Sequence, residues 1–235
     1  MKKINSTRKL VLVALMGTLL TGCDSDSRKD EFFKVKDSAL LSKDPFAVMN
    51  KYYSSGYTFS GECEGIFYFD EDCKKIEGIN AEVMTAAINK GSTSALLYLF
   101  TGDKLGAWIT GRDLPSDVIN KAVNQLLKLA DETPPVRARS DVFLVAGDQL
   151  QSGYYVSQNT SAAIAMYLKA WRAGDSRAAE RLAQTYKFLN DDHRVYFWQI
   201  RARNVPAGNT DLDGVSGQEK LAIQQKAADL SIINL

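Results

Sequence analysis

The amino-acid sequence predicts an all-α protein, on three observations. From Ser38 to Ala202 apolar residues recur at helical spacings, as in Ile164, Tyr167, Leu168 and Trp171 at i, i+3, i+4 and i+7. Residues that start and stop helices punctuate this pattern at Gly91, Pro115, Thr133-Pro134-Pro135 and Gly174. Residues 52–69 break it, with seven aromatics set among glycines and serines.

At the N-terminus, Lys2, Lys3, Arg8 and Lys9 precede an eleven-residue apolar run, 10–20, that leads into Thr21-Gly22-Cys23. A stable membrane-spanning helix needs about 20 apolar residues. Residues 1–22 are therefore expected to be a secretory signal peptide. With its cysteine directly after Thr-Gly, the segment resembles a bacterial lipoprotein signal. The resemblance implies that Cys23 receives a diacylglyceryl group and becomes the first residue after cleavage. A single acyl chain, at ~0.8 kcal/mol per buried methylene, holds a membrane only marginally, whereas two hold it firmly. Asp24 in the second position implies retention in the inner membrane, facing the periplasm, with the outer membrane as the alternative.

Without residues 1–22 the chain keeps 213 of its 235 residues, and its 29 basic residues fall to 25 against 28 acids, a net charge near −3. A nucleic-acid binder needs a clearly basic surface, so that class is excluded. Residues 23–37 mix charges densely around Phe32, Phe33 and Val35 and are expected to form a lipidated, loosely attached tether. From 38 to 78, Ala39, Leu40, Phe46, Met49 and Tyr53 predict one or two short helices broken at Pro45. The aromatic stretch that follows predicts a hairpin or Ω-loop. Cys63 and Cys73 lie in or beside it. In an oxidising compartment such a pair reads as a disulfide, worth roughly 2–3 kcal/mol. A metal pair would need further ligands, and the chain has one histidine. Tyr57, Phe59, Phe67 and Tyr68 either pack beneath this loop or form a partner-binding patch, since aromatic residues dominate interface anchors.

Residues 79–235 are expected to be helical throughout. Residues 81–90 run to Gly91, and 92–100 follow with Ser92 as N-cap. Pro115 opens a helix whose stripe is Ile119, Val123, Leu126, Leu127 and Ala130, and residues 140–151 form the next. Thr160 or Ser161 is expected to cap the Ile164–Trp171 helix, and Gly174 to end it. Asp175 then caps a helix buried through Ala178, Ala179, Leu182, Ala183 and Tyr186. In the block from Ala146-Gly147 through Gly153, Val156, Tyr167-Leu168-Lys169-Ala170 and Gly174-Asp175 to Ala178, the chain resembles the Sel-one-like repeat family. Leu182-Ala183 falls 36 residues after Ala146-Gly147, at the family's period. A shorter second unit continues to Ala202, and Ala87, Gly91, Ala95 and Leu99 echo Ala170, Gly174, Ala178 and Leu182. The resemblance implies a short right-handed α-solenoid of helix-turn-helix units, a form used to bind proteins.

Catalytic chemistry is not expected. His193 follows two acids at a turn between helices, where a solvated cap is the ordinary role. Gly174-Asp175-Ser176 is similar to the opening of one lipase family, but no strand precedes it. Asn209, Asp211, Asp213 and Gly214 resemble the start of a calcium loop. That loop needs a glutamate in its twelfth position, where this chain has Lys220, with Glu219 one place early. The acids Asp70-Glu71-Asp72 are expected to be a solvated loop tip. No cofactor is expected.

The expected function is non-catalytic binding of another protein from a membrane anchor. Lipid-anchored proteins of this repeat type include immunity proteins of the type VI secretion system, which block antibacterial phospholipase effectors in the periplasm. An envelope scaffold for secretion, conjugation or wall synthesis is the alternative. If the aromatic loop is the binding patch, Tyr57, Phe59 or Phe67 changed to alanine weakens partner capture, whereas packing alone leaves it intact.

Overall fold

A computed structural model describes residues 25–56, 71–101, 107–202, 214–233 and 235, with side chains left out of account at 25–29 and 71–73. Among the described residues there are ten α-helices and no strand. They are α1 Ser25–Leu41, α2 Pro45–Ser54, α3 Glu71–Asn89, α4 Thr93–Phe100, α5 Ser116–Glu132, α6 Ser140–Ser152, α7 Thr160–Arg172, α8 Arg177–Phe188, α9 Asp192–Arg201 and α10 Gly217–Ala228. Short 3-10 turns at Gly111–Asp113 and Arg137–Arg139 precede α5 and α6. The substantial helix contacts join elements one or two places apart in chain order, so the packing is local along the sequence.

The N-terminal expectation needs correction. Residues 25–41 are one helix and no loose tether from Phe32 onward. Phe32 is 1% exposed and Ala39 is fully buried, with Phe33 and Val35 half-buried. Spaced over seven residues, Phe32, Val35 and Ala39 form a narrow apolar stripe that docks a highly charged helix. Pro45 starts α2 rather than interrupting it, where a missing N–H costs nothing, and the Asp44 carboxylate accepts from the Ala47 N–H at 3.2 Å. Tyr52 and Tyr53, part of the aromatic stretch, lie on α2. The Phe32 and Tyr52 rings meet at 5.8 Å. The hairpin or Ω-loop expected beyond them lies outside the described residues from 57 to 70.

Helix α3 begins ten residues before Ala81. Gly78 sits inside it on an exposed face, while Ile79 and Val83 turn inward. Glu71 and Asp72 belong to its first turn, in place of a loop tip. Phe32, Ala39, Met49, Tyr52, Ile79 and Val83 form one apolar cluster, and residues from α2 to α10 form a second. Trp108 packs against both. Its ring stacks on Tyr53 at 5.2 Å, its carbonyl accepts from Asn80 Nδ2 at 3.0 Å, and its N–H donates to the Tyr98 hydroxyl at 3.0 Å.

From α4 onward most of the sequence pattern appears as written. Ser92 caps α4, Pro115 precedes α5, and Thr133 ends it. Asn159, rather than Thr160 or Ser161, caps α7, accepting from the Ala162 N–H at 3.0 Å. The buried face of α7 is Ala163, Tyr167 and Ala170, and Ile164, Leu168 and Trp171 are only half-buried. The small residues therefore face inward, where they let neighbouring helices close up. Ser176 takes the cap position of α8 without a side-chain bond, and Asp175 Oδ1 instead accepts from the Arg177 N–H. The five residues predicted to be buried on α8 are all buried.

Three helices end in the same turn. At the end of α3 the Ser92 N–H reaches back to the Ala87 carbonyl, and Gly91 is left-handed with φ +75°. At the end of α7 Asp175 bonds Ala170 and Gly174 has φ +85°; at the end of α8 Asp191 bonds Tyr186 and Asn190 has φ +56°. Each is a helix stop that satisfies terminal carbonyls through one left-handed residue. The echo between Ala87…Gly91…Ala95 and Ala170…Gly174…Ala178 is thus a shared turn, with all four alanines fully buried.

Gly174→Ala is expected to cost about 1–2 kcal/mol, because a Cβ is strained in the left-handed region. Asn190→Gly should cost nothing. Gly147→Ala places a Cβ 2.5 Å from the Tyr167 ring, and overpacking of this kind costs about 1–3 kcal/mol. Urea unfolding midpoints of the three variants check these expectations.

Candidate functional site

The described residues gather polar side chains at the C-terminal end of α6, where two clefts open on either side of Ser152. The first, of ≈ 290 Å³, lies between the end of α4, the turn at 110–112, Gln149 and the Tyr154-Tyr155 loop. Its floor is apolar, since Phe100 is buried and meets the Tyr155 ring edge-on at 5.5 Å. Gln149, also buried, lies with Nε2 3.5 Å from the Phe100 carbonyl. Gly111 is there because the Tyr155 hydroxyl comes within 2.5 Å of where a Cβ would stand.

Two side chains dominate the rim. Tyr154 is 67% exposed, its ring held edge-on to Tyr155 at 4.6 Å. Arg112 is exposed and its guanidinium has no partner among the described residues. The neighbouring Asp113 forms no ion pair with it, because its Oδ2 turns back to accept from the Thr110 N–H at 2.6 Å and hydroxyl at 2.9 Å in a capping box. The turn therefore fixes the backbone of Arg112 and leaves its guanidinium outside any ion pair among the described residues.

The second cleft, of ≈ 210 Å³, is lined by Asp148, Gln151, Tyr167, Arg181, Gln184 and Thr185. Its charges are satisfied. Arg181 Nε donates to Asp148 Oδ1 at 2.9 Å, and the Tyr167 hydroxyl donates to the same oxygen at 2.9 Å. Burial and then the adjacent Asp148 carboxylate push the Tyr167 pKa well above the usual phenol range. Burial lowers the Arg181 pKa, and Asp148 outweighs it to hold the net value above the ordinary one. The group ties α6, α7 and α8 together. The Gln151 side-chain oxygen is buried there without a hydrogen-bond partner among the described residues.

At the far end of α6 and α8, Arg177 bridges Asp141 and Asp175, its Nη2 lying 2.6 Å from Asp175. Burial works to raise the Asp175 pKa, and the Arg177 bonds outweigh it, so the carboxyl titrates below its ordinary value. Arg201 is 7% exposed and lies over Phe197, with its guanidinium carbon 4.2 Å from the ring centre. It donates to the carbonyls of Ala227 and Asp229 at the end of α10, and burial lowers its pKa. Its chemistry closes the last helix onto α9.

The site residues expected from sequence fall mostly elsewhere. Cys23, Asp24, Tyr57, Phe59, Cys63, Phe67, Tyr68, Asn209, Asp211 and Asp213 lie outside the described residues, and of Cys73 the backbone alone is described, in α3. His193 is on the first turn of α9, in place of the turn before it, with Nε2 3.4 Å from Glu219. Glu219 is taken up by a second capping box, its Oε2 accepting from the Ser216 N–H at 2.8 Å. Gly214 is not left-handed; instead Asp192 Oδ2 sits 2.5 Å from its Cβ position. Among the described residues no three His, Cys, Asp or Glu side chains are grouped to hold a metal ion, and no helix is long and apolar enough to cross a membrane.

Ser216-x-x-Glu219 has the spacing of a capping box, although Glu219 enters the sequence-based expectations only beside the calcium-like loop. Nothing in the sequence pattern marked Arg112 or Tyr154, whose neighbours come from three separate segments. No protein-family model matches the chain, and no curated protein or solved structure matches it.

The Ser216 hydroxyl and N–H, and then His193, hold the Glu219 pKa down to about 2 from an ordinary 4.5. A carboxyl lowered on folding contributes stability above its unfolded pKa and loses it as pH falls through the folded value. The stability difference between the wild-type chain and Glu219→Gln is therefore expected to be full near neutral pH and to vanish between pH 4.5 and about 2. Urea midpoints across that range measure it.

Proposed function

We propose that this chain is a lipid-anchored, periplasm-facing protein-binding module built as a short right-handed α-solenoid, and that it acts as an immunity protein against an antibacterial, phospholipase-type secretion effector. The observation that carries the binding-module reading is the turn shared by α3, α7 and α8, each closed by a left-handed residue and a bond five residues back. Helices packed against their neighbours in chain order are what a stacked-repeat architecture requires, and helix stops of this common kind are compatible with it. The chemistry of the site agrees. The two clefts hold aromatic, arginine and amide side chains suited to recognition, and the one histidine faces the carboxylate of a helix cap.

The anchor at Cys23 gives this function a physical rationale. Fixing an inhibitor to a membrane raises its effective concentration where a membrane-attacking toxin arrives. Retention in the inner membrane follows from Asp24, and a disulfide between Cys63 and Cys73 would staple the aromatic loop to α3. An envelope scaffold for secretion, conjugation or wall synthesis is the second reading, favoured by the same helix stacking.

Cells that express the chain are expected to survive a co-expressed periplasmic phospholipase effector from a competing strain, and cells carrying Cys23→Ser to survive less well. Capture of endogenous envelope proteins alone, with no protection, would replace immunity with the scaffold reading. Colony survival, with fractionation of the chain between membrane and soluble pools, measures both.

A further inference from the structure

The first cleft and the second differ in what they leave unpaired, and that difference points to a ligand. In the second, Arg181 is neutralised by Asp148, so an incoming anion would have to displace an existing pair. In the first, Arg112 is exposed without a partner among the described residues, and the carboxylate of its neighbour Asp113 is directed to Thr110 in the capping box. An arginine in this state presents a planar fork of N–H groups matched to a carboxylate. Beside it stands Tyr154, exposed yet restrained by its edge contact with Tyr155. Arginine and tyrosine are among the residue types that anchor protein interfaces, and the rigid tyrosine ring brings large contact area at low entropic cost.

Size selects the kind of ligand. At ≈ 290 Å³ the cleft is at the lower edge of the range occupied by small-molecule and cofactor sites, roughly 300–1,000 Å³. A cleft of that volume holds one or two side chains of another protein, with the rest of that partner lying across the rim. Beyond Arg112 the lining turns apolar through Leu99, Phe100 and Tyr155.

We propose that this cleft takes an acidic segment of a partner protein, a glutamate or aspartate carboxylate pairing with Arg112 and a neighbouring apolar side chain packing against Tyr154 and Tyr155. This rests on the protein-binding reading above and specifies the surface that performs it. Gln149 stays buried beneath the site, its Nε2 3.5 Å from the Phe100 carbonyl.

The probe is a library of random twelve-residue peptides displayed on phage and selected on the full chain, held in detergent. Wild type is expected to enrich peptides in which an acid adjoins an aromatic or large aliphatic residue. Arg112→Gln is expected to recover acidic peptides about fivefold less often, the effect of losing one partly exposed charge-assisted pair. Tyr154→Ala should lose the apolar neighbour from the consensus. Arg137→Gln, at an exposed arginine on the turn before α6, should leave the consensus unchanged. Far-UV circular dichroism confirms that each variant is folded.

A wild-type consensus without acids, or the same acidic consensus from Arg112→Gln, overturns the assignment of this cleft and leaves protein binding elsewhere on the chain standing. A library that returns nothing above background, while the chain sediments as a dimer dissociated by Arg112→Gln, gives the cleft to a second copy and also overturns it. Acidic peptides recovered by a chain that fails to protect cells keep the cleft and remove immunity.

Discussion

The close approach of α6, α7 and α8 is the constraint on which the rest of the molecule depends. Gly147 has no side chain, and the edge of the Tyr167 ring occupies the space where one would stand. Ala163 and Ala170 on α7 and Ala178 and Ala179 on α8 are likewise fully buried, so the backbones meet with little between them. With the helices this close, the Tyr167 hydroxyl reaches Asp148, and Arg181 reaches the same carboxylate from α8. A larger residue at 147 would push the ring away and break a polar tie shared by three helices. The position of the α6 C-terminus, and so of both clefts, follows from that packing.

The other end of the chain is held by different means. Helix α1 is nearly half charged, and Phe32, Val35 and Ala39, with Phe33 and Leu40 beside them, give it an apolar stripe. It docks because α2 and α3 supply Met49, Tyr52, Ile79 and Val83 to receive that stripe. Trp108 then joins this small cluster to the main one, with its backbone and ring tied to Asn80, Tyr98 and Tyr53. The segment just before the 110–113 turn is thereby fixed between two apolar clusters, which in turn sets where Arg112 emerges. Recognition chemistry on a loop held by a rigid scaffold is a common arrangement in binding proteins.

Most of the helices from α4 to α9 were legible in the sequence, because their stop residues and apolar periods carry a local physical cause. Gly91 and Gly174 can adopt the left-handed turn without strain, Pro115 opens a helix without losing a bond, and the alanines of α8 mark a face that must come close to another. Errors arose where two signals compete. Ile164, Leu168 and Trp171 outweigh Ala163 and Ala170 on any hydrophobicity count, yet the alanines face inward, since proximity favours small volume. Residues 23–37 were read as a tether because charge dominates the composition, and a short apolar stripe has weight only once a receiving surface exists.

The sequence by itself determined the all-helical class, the order of the helices after Gly91 and the turns that end α3 and α7, since each depends on residues within a few positions of one another. Tertiary structure alone decided which polar groups remain available. Arg112, Arg177, Arg181 and Arg201 are alike in the sequence. Folding pairs Arg177 with Asp141 and Asp175, gives Arg181 to Asp148, and buries Arg201 among aromatic rings at the end of α10. Arg112 is left at the rim of a cleft, with the side chain of its adjacent acid directed to the backbone of its own turn. Availability of a charge is a property of its neighbours in space, and those come from segments up to 43 residues away in the chain, the separation of Arg112 and Tyr155.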